Sequence, residues 1–220
     1  MSIAVAIADD QPLVRAGLQM IIDAADGMHL VAQAASGSEV IEAIHRTHPD
    51  VVLMDIRMPA VDGIEATRQI TAGPGNPPRV LILTTFDHDD YLYGALRAGA
   101  SGFLLKYVPP EQLVEAIRTV ANGDGLLSPA VTTRLIEAFV QTSAHAPVPA
   151  AFGDLTPREL ELFTLIARGL SNTEIADRLV LSNATVKTHV TRIFSKLGLR
   201  DRVQAVVLAY ETAIVRPGTQ

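Results

Sequence analysis

The 220-residue chain contains no cysteine, which excludes disulfides, a thiol nucleophile and zinc held by thiolates. No apolar run reaches the roughly 18 residues that a membrane-spanning helix needs. The N-terminal stretch "MSIAVAIADD" is apolar, but no basic residue precedes it and two acids end it, a pattern unlike a signal peptide. These absences lead to the expectation of a cytoplasmic protein with no membrane partner. What is present is 48% hydrophobic residues, enough for real cores in one large or two modest domains.

The net charge of -6 is unevenly spread. Residues 1–125 hold eight Lys and Arg against sixteen Asp and Glu, whereas residues 154–220 hold nine against seven. Within 187–202 five basic side chains face one acid. Opposite signs at the two ends suggest two different tasks.

From residue 1 to about 122, short apolar runs alternate with helical patterns. The strands read as 3–8, 29–34, 51–54, 79–84 and 102–105. Helices read near 12–24, 37–47, 62–72, 88–98 and 109–121. Five βα repeats with continuously apolar strands predict an α/β fold, a doubly wound five-stranded parallel sheet covered on both faces. In such sheets ligands bind beyond the carboxyl ends of the strands.

The residues at those strand ends are unusual. Strand one ends in Asp9 and Asp10, and "VVLM" ends in Asp55. Strand four ends in Thr84, a hydroxyl source, and strand five in Lys106. Three carboxylates at one edge repel each other, and a bound cation relieves them. Oxygen-only ligands suit Mg²⁺. Each residue alone is ordinary; together they describe a phosphoryl-transfer site with an aspartate nucleophile. His48, in "HPD", lies at the opposite edge and reads as loop, and the acids of "DHDD" (87–90) read as helix-start charges.

"IADDQPLVRAGL", "PDVVLMDIRMPAVDGIEATRQI", "VLILTTFD" and "ALRAGASGFLLK" resemble the receiver domain of two-component response regulators over about 120 residues. That resemblance implies that Asp55 accepts the phosphoryl group, that Asp10, Asp55 and the backbone carbonyl of Arg57 ligate Mg²⁺, and that Asp9 completes the acidic pocket. It further implies that Thr84 and Lys106 bind the phosphoryl oxygens and that Phe103 is the aromatic switch. The chain departs from the family after Lys106, where Tyr107-Val108-Pro109-Pro110 stands in place of the usual Asp or Pro.

After residue 122, Ser128-Pro129 can open a helix to about Val140, and the Pro/Ala-rich "SAHAPVPA" reads as a linker. From Thr156 the pattern is purely helical. Thr156, Pro157 and Glu159 form a capping box, as do Ser171 and Glu174. Ser182 caps the next helix, Gly198 ends it, and a last helix spans about 201–214. In "SNATVKTHVTRIFSKLG", Val186, Val190, Ile193 and Leu197 make a buried stripe. Thr188, Thr191 and Ser195 lie opposite, flanked by Lys187 and Arg192, a face able to approach bases and phosphates. Two capped helices joined by a short turn form a helix-turn-helix.

This stretch resembles the LuxR-type helix-turn-helix of NarL-class regulators over about 60 residues. The likeness implies base-facing positions at Lys187, Thr188 and Thr191, and a dimerisation helix with Val203, Val206, Val207 and Tyr210, although packing of that helix within its own domain is the equal alternative. Asn183 and Thr191 depart from the commoner residues, so base preference does not carry over. The implied layout is a receiver domain at 1–122, a linker with one helix at 123–150 and a smaller all-α DNA-binding domain at 151–216. The implied partners are a sensor histidine kinase, promoter DNA, RNA polymerase and a second copy when phosphorylated. The chain is read as a regulator rather than an enzyme: an aspartate phosphatase of the haloacid-dehalogenase type wants an Asp where Arg57 stands, and the C-terminal segment lacks a nucleophile–base pair. A phosphorylation-dependent adaptor that binds no DNA is the other rival.

Overall fold

The computed structural model describes residues 2–84, 89–123 and 149–215. The anticipated helix at 128–140, most of the linker and residues 87 and 88 of "DHDD" lie outside the described residues. The chain divides into two compact units, residues 1–126 and 127–220.

Unit one alternates strand and helix: β1 (Ile3–Ala8), α1 (Pro12–Ala24), β2 (Met28–Ala34), α2 (Gly37–Thr47), β3 (Val51–Asp55), α3 (Gly63–Thr71), β4 (Arg79–Thr84), α4 (Asp89–Arg97), β5 (Gly102–Leu105) and α5 (Pro110–Ala121). The five strands form one parallel sheet in the order β2-β1-β3-β4-β5. Strand order reverses between β1 and β3, so the crevice at their carboxyl ends is where this topology binds ligands.

The central strands are apolar because both their faces are covered. Val5, Ile7, Val51, Leu53, Leu81 and Leu83 form one face and pack with Leu18 and Ile22 of α1 and Leu113 and Ile117 of α5. The alternate residues Ala6, Val52, Met54, Val80 and Ile82 are also fully buried, as the two-residue period of a strand demands. Each of the Val, Leu, Ile and Met side chains contributes about 2 kcal/mol by leaving water.

The helices begin where the sequence offers a cap. Ser36 accepts the Glu39 N–H at the start of α2, and Asp62 accepts that of Glu65 at the start of α3. Pro109-Pro110, the departure noted above, opens α5 with a proline in its first turn, where the missing N–H costs nothing.

Unit two contains a 3₁₀ turn (Ala150–Asp154), α6 (Pro157–Ala167), α7 (Asn172–Leu179), α8 (Asn183–Leu197) and α9 (Arg202–Glu211). Both capping boxes form, each with reciprocal bonds between Thr156 and Glu159 or Ser171 and Glu174. Leu162, Phe163 and Ile166 of α6 are fully buried, as are Ile175, Val186, Ile193 and Val203. Phe152 of the 3₁₀ turn meets Phe163 edge to face at 5.2 Å between ring centres. That turn gave no signal in the sequence. Among the described residues no helix is long and apolar enough to cross a membrane.

Candidate functional site: an acidic pocket and a helix-turn-helix

The pocket follows from the strand ends. Asp55 is the last residue of β3, paired in register with Leu83, one residue before Thr84 ends β4. Asp9 and Asp10 follow β1, the other neighbour of β3. The sheet therefore brings together carboxylates that lie far apart in sequence. One oxygen from each of Asp9, Asp10 and Asp55 lies within 4.8 Å of the others. Asp9 is 1% and Asp55 6% exposed, whereas Asp10 faces solvent.

Lys106, just past β5, reaches across β4 into this group. Its Nζ lies 2.6 Å from Asp9 Oδ2 and 2.8 Å from Asp55 Oδ2. Its backbone N–H donates to the Thr84 carbonyl at 2.8 Å, which ties the end of β5 to the end of β4. The Gln11 N–H donates to Asp9 Oδ1 at 2.9 Å, fixing the other carboxylate oxygen. Thr84 is buried at its strand end, and Phe103 is buried on β5 opposite Ile82.

Burial pushes the Asp55 carboxyl up from its ordinary range, with Lys106 opposing the rise. For Lys106, burial pulls downward, but its hydrogen bonds to Asp55 and Asp9 and their negative charge prevail and hold the ammonium above its usual value. One cation among three acids leaves negative charge uncompensated, and the donors are all oxygens. That donor set fits a hard divalent cation such as Mg²⁺. Among the described residues it is the one cluster of three or more side chains able to hold a metal.

Gly63, absent from the sequence reading, holds the pocket floor close to α3. Its N–H donates to the Ile56 carbonyl at 2.8 Å. A Cβ there would sit 1.9 Å from the Asp55 carbonyl oxygen. The side chain of Arg57 points its guanidinium over the Tyr91 ring, 5.7 Å from the centroid. Tyr91 also escaped the sequence reading; no spacing rule links it to Arg57.

In unit two, α7 and α8 form the helix-turn-helix. Val186, Val190 and Ile193 are buried and Leu197 half-buried, while Lys187, Thr188, Thr191, Arg192 and Ser195 are exposed. The Thr188 and Thr191 hydroxyls donate to the carbonyls of Ala184 and Lys187, each at 3.0 Å. Their protons are thus engaged, and what they present outward is an acceptor lone pair and a methyl group. Asn183 donates to Thr173 Oγ1 at 3.2 Å, a direct link between the two helices.

Two basic residues of the 187–202 stretch are structural. Lys196 Nζ lies 2.7 Å from Glu159 Oε2 and 3.0 Å from the Asp154 carbonyl, bracing α8 against α6 and the 3₁₀ turn. Arg202 donates to Asn172 Oδ1.

The helix expected to carry dimerisation is α9. Val203, Val206, Val207 and Tyr210 are 0–7% exposed within their own unit. Ala205 and Ala209 are buried as well, so α9 is covered around most of its circumference and packs on α6. A helix apolar on so many sides packs into the core of its own unit.

Residues 5–118 match the response regulator receiver domain family, and residues 154–209 match the bacterial regulatory proteins of the luxR family. The chain is 41% identical over 214 residues to YxjL of Bacillus subtilis (strain 168), called an uncharacterized transcriptional regulatory protein, covering 97% of this chain and 98% of that one. It shares the same 41% over 214 residues with the oxygen regulatory protein NreC of Staphylococcus aureus (strain JH9), at 96% and 98% coverage. Among solved structures, the response regulator ChrA of a heme-sensing two-component system aligns over 97% of this chain and 99% of that one, with 38% identity and a TM-score of 0.53.

Proposed function

The chain belongs to the two-component response regulators that join a receiver domain to a LuxR-family DNA-binding domain, and from that premise we propose that Asp55 is the phosphoryl acceptor that controls its binding to promoter DNA. The observation that carries this reading is Lys106 Nζ held at 2.6 and 2.8 Å between Asp9 and Asp55 at the carboxyl ends of a parallel sheet. A phosphohistidine on a partner kinase supplies the group. An Asp55 carboxylate oxygen attacks phosphorus, the P–N bond breaks and the histidine nitrogen leaves with the electron pair.

Asp10, Asp55 and the Arg57 carbonyl would hold Mg²⁺, with Asp9 completing the pocket. When bound, the ion neutralises charge on the phosphoryl oxygens. Lys106, already in place, pairs with one of those oxygens, and the Thr84 hydroxyl donates to another. As Thr84 moves toward the phosphoryl group, Phe103 follows into the space it leaves, and the β4–β5 face changes.

Lys187, Thr188, Thr191 and Arg192 form the DNA-facing surface. The phosphorylated chain pairs with a second copy to span half-sites about 34 Å apart, and RNA polymerase is the machinery it acts on. A promoter-binding role places the protein in the cytoplasm. The chain catalyses at most its own phosphorylation and dephosphorylation.

The test treats full-length protein with Mg²⁺ and a small phosphoryl donor, follows modification on phosphate-affinity gels, and measures retention of genomic DNA fragments. Wild-type protein is modified and its DNA retention rises; Asp55→Ala shows neither change. Modification of Asp55→Ala at the wild-type rate would refute the assignment.

A further inference from the structure

The outward face of α8 is short in the middle and long at its sides. Ala184, Thr188, Thr191 and Ser195 recur at helical spacing and share one line along the helix. All four are exposed, on the side away from the buried Val186, Val190 and Ile193. Lys187 and Arg192, also exposed, stand to the two sides of that line. A helix of this profile can seat its backbone close to base edges while its two cations reach the phosphates of the groove walls.

The two threonines at the centre of the line lack a freedom that exposed hydroxyls usually keep. The Thr188 hydroxyl donates to the Ala184 carbonyl and the Thr191 hydroxyl to the Lys187 carbonyl, each at 3.0 Å. A hydroxyl has one proton to donate, and here it is engaged inside the helix. The same bond selects one of the two rotamers open to a helical threonine, which fixes the direction of its methyl group. Residues three apart on a helix hold their Cβ atoms about 5–6 Å from each other, against a rise of about 3.4 Å per base step. In the major groove guanine offers two acceptors, which such threonines cannot satisfy, and cytosine offers a donor but no methyl. Thymine offers a methyl group, and its partner adenine an amino donor for the free lone pairs.

We propose that Thr188 and Thr191 select two thymines in each half-site, one or two base steps apart, by packing their methyl groups on the thymine C5-methyls and not by donating from their hydroxyls. The inference rests on α8 being the helix that faces DNA. Neither threonine brings a charge, so this selection does not depend on salt. Lys187 and Arg192 supply the salt-dependent part of binding.

The experiment selects bound duplexes from a randomised DNA pool with full-length protein, Mg²⁺ and acetyl phosphate. The enriched duplex is then resynthesised with deoxyuridine in place of one thymidine at a time, a change that removes only the methyl group. At two thymines of a half-site, wild-type affinity is expected to fall about fourfold, the scale of burying one methyl group, and by the same factor at low and high salt. Cytosine at either position weakens binding further, and 5-methylcytosine recovers part of that loss. Thr188→Ser, which keeps the hydroxyl and loses the methyl, removes the uracil penalty at one of the two positions, and Thr191→Ser removes it at the other. Thr188→Val and Thr191→Val, which keep a methyl and lack the hydroxyl, retain both penalties. A wild-type protein indifferent to uracil at every position overturns the proposal. So does a penalty that survives in both serine variants, or one that vanishes in the valine variants, which would mean that the hydroxyls swing out and read the bases as donors. A pool from which wild-type protein enriches no sequence overturns instead the reading of α8 as the DNA-facing helix, and the inference with it.

Discussion

Val180 ends α7 at φ 54°, ψ 51°, a left-handed conformation that a β-branched residue rarely adopts, and its side chain is 90% exposed. The conformation is imposed by the turn. Both the Val180 and the Leu181 N–H groups reach back to the Ala176 carbonyl, and Ser182 already caps the next helix. The left-handed region costs an L-residue roughly 1–2 kcal/mol, and nothing in an exposed side chain offsets it. Val180→Asn, whose short polar side chain tolerates this region, is expected to raise the unfolding temperature of unit two by about 4 °C, corresponding to about 1 kcal/mol; calorimetry showing a lower temperature would count against strain at this turn. Glu159 makes a second prediction at the same scale. The hydrogen bond from Lys196, followed by that from the Thr156 N–H, draws its carboxyl from the ordinary 4.5 down to about 2. A depressed folded pKa contributes stability that is fully present above pH 4.5 and is lost as pH falls toward 2. Acid titration of unit-two unfolding should show this loss, and Glu159→Gln should flatten the limb between those two values.

At the scale of elements, the same substitution should act with opposite signs on two helices. Gly63 opens α3, and an added Cβ would meet the backbone of Asp55 and Ile56, atoms that cannot step aside. Gly63→Ala must therefore push α3 away from β3, at a cost of about 2 kcal/mol, and shift the Asp55 main chain. Gly17 lies within α1 with nothing within 4 Å of an added Cβ, so Gly17→Ala should stabilise unit one by about 0.5–1 kcal/mol through helix propensity alone. Thermal melts of the two variants, with phosphoryl uptake measured alongside, check both: Gly63→Ala should lose uptake and Gly17→Ala should keep it. These contacts mark what the sequence could and could not reveal. Asp9, Asp10, Asp55 and Lys106 were legible because each sits at the end of an apolar strand, and the topology of a doubly wound sheet gathers strand ends. The capping boxes at Thr156 and Ser171 were legible because they are local. The Arg57–Tyr91 contact and the Lys196–Glu159 brace join elements distant in sequence, where no spacing rule applies, and the closeness of Gly63 to Asp55 depends on how the short β3–α3 loop folds back, which spacing does not reveal. For Val203, Val206, Val207 and Tyr210, periodicity revealed an apolar face but not what covers it, and the cover is α6 of the same unit.

Across the whole molecule, the proposed function divides between an acidic unit that would receive the phosphoryl group and a helical unit that would meet DNA. Moving a regulator from about 1:99 to 99:1 in favour of its active state takes about 5.5 kcal/mol of differential stabilisation, which is what phosphorylation would have to supply under the proposed function. The output then depends on how few cations do the binding. Of the five basic residues within 187–202, Lys196 is committed to Glu159 and Asp154, and Arg202 to Asn172, while Lys187 and Arg192 project from the exposed face of α8. A lysine that neutralises a DNA phosphate releases about one counterion, so its removal lowers the salt slope of binding by about 1. Lys187→Ala should reduce that slope by about 1 with little change in folding stability. Lys196→Met should do the reverse: it should lower the unfolding temperature of unit two, because Glu159 loses its partner, and leave the slope unchanged. Titrations of promoter DNA at several salt concentrations, paired with melts, separate the two. A drop in slope for Lys196→Met would mean that this lysine leaves Glu159 to reach DNA and that the brace seen between α8 and α6 opens in the complex.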